Sequence, residues 1–185
     1  MRTYKYQAEF GLVDPVLLSD AMEQWEQGDI DGVLCMMPNE KNMAFVHDNC
    51  LALKERGLFE KALIHAYTST RTNYAGWSTS DLRWMFDFAD RQKLRELAPL
   101  PPGNSFTLYR GVAGKGKARR IRGMSWTDNF DKAVWFAKRH LAILPDPAIY
   151  TTTAKADDIL FFDDGRTERD FILWAEKYKR TPWTP

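Results

Sequence analysis

The feature that most constrains this chain is the tract Ala98-Pro99-Leu100-Pro101-Pro102-Gly103-Asn104. Its prolines remove backbone donors and push the residues before them into extended geometry, so no helix runs through it. The patterning differs on its two sides. Before the tract, apolar residues recur at helical spacing; after it, they fall in short runs rich in β-branched and aromatic side chains. A mainly helical region over residues 1–100 and a β-rich region over 101–185 are therefore expected, as two units or as one compact α+β domain. With 185 residues and 44% hydrophobic side chains, the chain is long enough for one well-buried core, or for a core plus a small helical unit.

In the first region, Asp14-Pro15 opens a helix, because Asp caps free N–H groups and proline at the first position has none to leave unsatisfied. Leu18, Ala21, Met22 and Trp25 share one face, and Gly28 closes it. Residues 28–32 read as a turn. A second helix carries Met43, Val46, Cys50 and Leu53 and stops at Gly57; a third carries Phe59, Ala62, Leu63 and Ala66 and ends in the polar run 68–73. Ser78 with Asp81 forms a capping box for a fourth, which bears Leu82, Met85, Phe86 and Ala89 and runs on to Leu94 and Leu97.

In the second region, Ser105-Phe106-Thr107-Leu108-Tyr109 predicts a strand with Arg110 at or near its end and Gly111 next. Ser125-Trp126-Thr127 predicts another. Asp128 is expected to cap a helix bearing Phe130, Ala133, Val134 and Ala137, with Asp131 in its first turn and a break before Pro145. Residues 148–153, 159–162 and 171–174 predict three more strands, separated by turns rich in Asp and Gly.

Charge and motifs narrow the chemistry. A net charge of +1 with interspersed signs gives no global reason for a nucleic-acid or membrane partner. The local run Lys115, Lys117, Arg119, Arg120 and Arg122 is either a solvated loop or a contact to an acidic partner or phosphates. The first residues lack an apolar signal core, no stretch approaches the roughly 20 apolar residues of a membrane span, and Cys35 and Cys50 form no C-x-x-C, so a soluble cytoplasmic protein is expected. His47 lies three residues before Cys50, but two ligands make no metal site, and His65 and His140 add no matched spacing; no metal is expected. Trp77, Trp84, Phe86 and Phe88 are assigned to packing. Gly111 to Lys117 fits a phosphate-loop spacing, yet Ala118 lacks the hydroxyl that Mg²⁺ requires and the following residues lack helical periodicity. Gly123-Met124-Ser125-Trp126-Thr127 lacks the second glycine of a nucleophile elbow.

One constellation remains: Leu108-Tyr109-Arg110-Gly111, then Ser125-Trp126-Thr127 followed by a helix, then Glu168-Arg169-Asp170-Phe171-Ile172-Leu173. In order and in strand context it resembles the arginine, serine-x-serine/threonine, glutamate-x-glutamate pattern of the mono-ADP-ribosyltransferases, a family that includes bacterial toxins and phage-encoded enzymes. The resemblance covers roughly residues 105–174. It implies a mixed, two-sheet β core that binds NAD as substrate, a protein acceptor, and an effector acting on host machinery. It places Arg110, Tyr109, Gly111, Ser125, Thr127 and Phe130 at the NAD and Ser125, Glu168 and Asp170 in catalysis. Arg110 as a planar fork suits a pyrophosphate or ribose. Ser125 would orient the acid, and Thr127 would support the strand. Glu168 and Asp170, two apart on a strand, are expected on one face. Asp170 stands where the family has its second glutamate, and aspartate is shorter by one C–C bond, about 1.5 Å. The acidic first position of the pair favours arginine as acceptor, and residues 163–167 match the family's acceptor-recognition turn. Two other readings stand beside this one: a non-catalytic, transferase-like interaction protein, and an NAD glycohydrolase.

Overall fold

The computed structural model describes residues 4–69, 77–116, 119, 123–139, 141–165 and 168–182. The chain divides into two compact units, Met1–Leu97 and Ala98–Pro185, each with its own interior. Together they form an α+β structure with eight α-helices and one antiparallel sheet among the described residues. None of these helices is long and apolar enough to cross a membrane.

The first unit is helical. A 3-10 turn at Pro15–Leu17, with its Val16 amide capped by Asp14 at 2.9 Å, leads into α1 (Leu18–Gln27), which ends at a left-handed Gly28. Residues expected as a turn instead begin a short helix, α2 (Ile30–Cys35): Asp29 accepts the Gly32 amide at 3.1 Å and so starts it. The predicted second helix is two, α3 (Asn39–Asp48) and α4 (Cys50–Arg56), which places His47 and Cys50 on different helices. Asn49 breaks them. Buried at 3% exposure, it donates to the carbonyls of Phe45 and Glu9, each at 3.0 Å, and accepts the Glu9 amide at 2.6 Å. Then come α5 (Phe59–Ser69), α6 (Thr79–Phe88) and α7 (Arg91–Leu97). The helix expected to run from Ser78 to Leu97 stops because Ala89 turns extended and Asp90 caps the next amides, those of Gln92 at 2.9 Å and Lys93 at 3.2 Å. Phe45, Phe59, Leu53, Leu63, Met85 and Leu94 are fully buried. Each such side chain contributes about 1.5–3 kcal/mol by leaving water.

The second unit is built on β1 (Ser105–Val112), β2 (Ser125–Thr127), α8 (Phe130–Lys138), β3 (Ala148–Lys155), β4 (Ile159–Asp163), β5 (Asp170–Leu173) and β6 (Lys179–Thr181). The six strands form a single sheet in the order β4-β5-β2-β1-β3-β6, and every neighbouring pair is antiparallel. This replaces the mixed two-sheet core expected from the resemblance. A parallel pair needs a crossover, usually a helix; α8 connects β2 to β3, but β1 lies between those two strands. The sheet is nevertheless unevenly stitched. β1 and β3 pair through eight successive positions, from Ser105↔Lys155 to Val112↔Ala148, whereas β1 and β2 meet at one, Tyr109↔Thr127. One face carries Leu108, Val112, Trp126, Tyr150, Phe171 and Leu173 as an apolar cluster; the other takes α8, whose Ala133 and Ala137 pack with Ile149 beside Tyr109 and Phe130. The β6 strand is absent from the sequence reading because Lys179-Arg180-Thr181 has no apolar alternation, as befits a charged edge.

Candidate active site

Pairing places one row of residues side by side across the whole sheet: Asp163, Asp170, Thr127, Tyr109, Thr151 and Lys179. Directly opposed residues of antiparallel strands share a face. Thr127, Asp170 and Tyr109 therefore belong to the α8 face, and so does Ser125, two residues before Thr127. Arg110 leaves β1 on the other face, at the point where β1 and β2 cease to pair. Its Nη1 crosses to the carbonyl oxygen of Ser125 at 2.5 Å. A Cβ on Gly123 would lie 2.0 Å from Arg110 Nη2, so the guanidinium rests against that glycine. Arg110 and Ser125 are brought together through the Ser125 backbone.

The acidic segment is pinned at the Thr127–Asp128 end of β2, with Asp170 on the face of the sheet opposite Arg110. Thr127 is 3% exposed, and its hydroxyl donates to the Glu168 carbonyl at 2.9 Å while accepting the Asn129 amide at 3.1 Å. Asp170 begins β5 opposite Thr127. Glu168 does not share that strand: β5 starts at Asp170, and Arg169 between the acids has φ 51°, in the left-handed region. Strand alternation therefore does not set the relation between the two carboxylates. Asp128 holds the arginine between them. Its two oxygens accept from Arg169 Nε at 2.7 Å and Nη2 at 2.6 Å, a fork-to-fork pair that holds Arg169 aside. The Asp128 carboxylate raises the Arg169 guanidinium above its ordinary pKa.

Asp128 was expected to cap α8. Asn129 does so instead, accepting the Lys132 amide at 3.1 Å, with Asp131 in the first turn. Tyr109 and Phe130 meet edge to face at 5.2 Å between their centroids, packed against the α8 cluster. Gly111 lies under the helix, where a Cβ would come 1.8 Å from the Ala133 carbonyl oxygen. Its missing side chain is what lets α8 approach the sheet.

The basic run resolves in part. Lys115 is exposed, while Lys117, Arg120 and Arg122 lie outside the described residues. Arg119 serves the fold: it donates to the carbonyls of Gly114 at 2.8 Å and Asp146 at 2.7 Å and pairs with the Asp146 carboxylate. In the segment matched to the acceptor turn, Asp163 accepts the Gly165 amide at 3.0 Å; Arg166 and Thr167 lie outside the described residues.

The sequence reading missed Gly123, Asp128 and Arg169 as parts of this site. A signal existed for Arg169, the one base inside an acid-x-acid run. No protein-family model, curated protein or solved structure matches this chain significantly.

Proposed function

We propose that this protein is an NAD-dependent mono-ADP-ribosyltransferase that modifies a protein side chain, with arginine as the preferred acceptor. The observation that supports the reading is what gathers at β2: Arg110 of β1 reaches the Ser125 carbonyl near one end of that strand, and the Glu168–Asp170 turn is held at its other end by the Thr127 hydroxyl and by Asp128. In this reading Arg110 takes the pyrophosphate, and Ser125 and Thr127 hold the acid segment beside the nicotinamide ribose. As the bond from ribose C1′ to nicotinamide breaks, positive charge develops on the ribose. A carboxylate on the 2′-hydroxyl stabilises that charge more than it stabilises bound NAD. Nicotinamide leaves neutral with the bonding pair, the acceptor attacks C1′, and its proton passes to the second carboxylate. Glu168 and Asp170 divide these two tasks. A cytoplasmic effector acting on host machinery fits such an enzyme.

A second reading, a transferase-like interaction protein without catalysis, is favoured by the Arg110 link to the chain's own Ser125 carbonyl and by the shorter acid at Asp170. Labelled NAD incubated with a cell lysate separates the two. Transfer to protein that is lost in Arg110→Ala, and in Glu168→Gln or Asp170→Asn, is the expected result. Undiminished transfer in all three variants overturns the site assignment. Absence of NAD binding and of nicotinamide release overturns the function. Free ADP-ribose formed by the purified protein alone, without protein labelling, identifies a glycohydrolase.

A further inference from the structure

We propose that the Asp128–Arg169 ion pair is a positioning clamp that fixes where the carboxylates of Glu168 and Asp170 stand. Its role in turnover rests on the transferase reading; its effect on the two carboxylates does not.

Three ties grip residues 168–170, and all come from residues 127 and 128. The Thr127 hydroxyl holds the Glu168 carbonyl at 2.9 Å. The Asp128 carboxylate holds the Arg169 fork at 2.6 and 2.7 Å. Thr127 also faces Asp170 in the β2–β5 ladder. The Arg169 guanidinium lies 5.4 Å from the Phe162 ring centroid, which brings β4 into the same knot. Left-handed backbone is costly for a residue with a Cβ other than Asn or Asp. Arg169 adopts it at φ 51°, and that turn takes Glu168 out of register with β5. The angle between the two acids is thus set by the conformation of one residue, whose side chain is anchored by Asp128. Asn129 caps α8, so Asp128 is not needed there.

The pair is only half-buried, with side-chain exposures of 39% for Arg169 and 27% for Asp128. Ion pairs in such settings contribute little to global stability. Its importance is geometric. Carboxylates displaced by about 1 Å lose roughly a hundredfold in rate.

The test uses the full chain with Asp128→Asn, with Arg169→Gly, which keeps the left-handed turn accessible while deleting the fork, and with the reversal Asp128→Arg plus Arg169→Asp. Nuclear magnetic resonance follows the side-chain nuclear Overhauser contacts of Glu168 and Asp170 and the amide exchange of residues 168–171; steady-state kinetics follow NAD turnover. Both single variants are expected to change the side-chain contacts of Glu168 and Asp170 and to speed amide exchange about threefold to tenfold, with the rest of the sheet unchanged. They are expected to lower kcat about tenfold to a hundredfold while KM for NAD stays within about twofold, a loss confined to the chemical step. The reversal is expected to regain most of kcat. Wild-type side-chain contacts and exchange in Arg169→Gly overturn the clamp, as does an unchanged kcat in that variant. If the wild type does not turn over NAD, the proposed function falls, and the side-chain contacts and amide exchange alone decide the clamp: changed in both single variants, it stands; unchanged, it does not.

Discussion

Gly111 and Gly123 lie beside Arg110 and respond to a side chain in opposite ways. At Gly111 a Cβ meets backbone, the Ala133 carbonyl oxygen at 1.8 Å and the Ala137 nitrogen at 2.7 Å, so α8 must move bodily. Gly111→Ala is expected to destabilise the second unit by about 3 kcal/mol, the upper end of overpacking costs, measured by denaturant unfolding. At Gly123 the Cβ meets the tip of a flexible side chain, Arg110 Nη2 at 2.0 Å, which can swing away. Gly123→Ala should leave stability within about 0.5 kcal/mol of wild type and yet weaken NAD binding at least about tenfold, read by calorimetry. Wild-type affinity in that variant would show that the observed pose of Arg110 is irrelevant to NAD. At this scale the sequence was informative where a residue had one plausible task. Arg110 was legible as a strand arginine, although β1 runs two residues beyond it, to Val112. Asp128 was not, because an aspartate before a helix reads as a cap, and its actual partner Arg169 lies far along the chain. Glu168 was misplaced on a strand because nothing local announces that an arginine adopts left-handed backbone.

The helices of the first unit depend on polar groups at their ends. Ser78 accepts the Asp81 amide at 3.1 Å, and Asp81 reaches back to the Ser78 amide at 3.1 Å. Ser78→Ala is expected to cost about 1 kcal/mol in thermal or denaturant unfolding. Glu60, 1% exposed, joins three helices: it lies on α5, pairs with Lys54 of α4 and accepts the Asp90 amide at 2.8 Å just before α7. Burial alone would raise its pKa, but the hydrogen bonds from Lys54 and from the Asp90 amide outweigh it and hold the carboxyl below its ordinary value. A folded-state value below the unfolded one means stability that is present at neutral pH and lost as the pH falls through the folded value. Glu60→Gln should therefore cost about 1–3 kcal/mol at pH 7, and the gap from wild type should close as the pH drops below about 4. A gap independent of pH would contradict the ionised pairing. The capping box and the glycine stops at Gly28 and Gly57 were readable as local chemistry. The breaks at Asn49 and Ala89 were not. Apolar spacing continues through both, and what interrupts it is distant: Glu9 on Asn49, Glu60 on Asp90.

At the scale of the molecule, the chain separates at Leu97 and Ala98. Both apolar clusters around the sheet consist solely of residues from the second unit. A fragment of residues 98–185 is expected to retain a β-type circular dichroism spectrum and slow amide exchange in β1 and β3; a random-coil spectrum would show that these clusters do not suffice. The strand segments were largely visible in the sequence, while their order was not, since pairing in an antiparallel sheet is decided by contacts between distant segments. The seam at Tyr109↔Thr127 has a mechanical consequence. Two well-laced ribbons, β4-β5-β2 and β1-β3-β6, are joined by a single rung, so the sheet is stiff within each ribbon and compliant between them. The Arg110 guanidinium bridges that seam to the Ser125 carbonyl, so a twist of one ribbon against the other is taken up by the single rung and by this one side-chain tie.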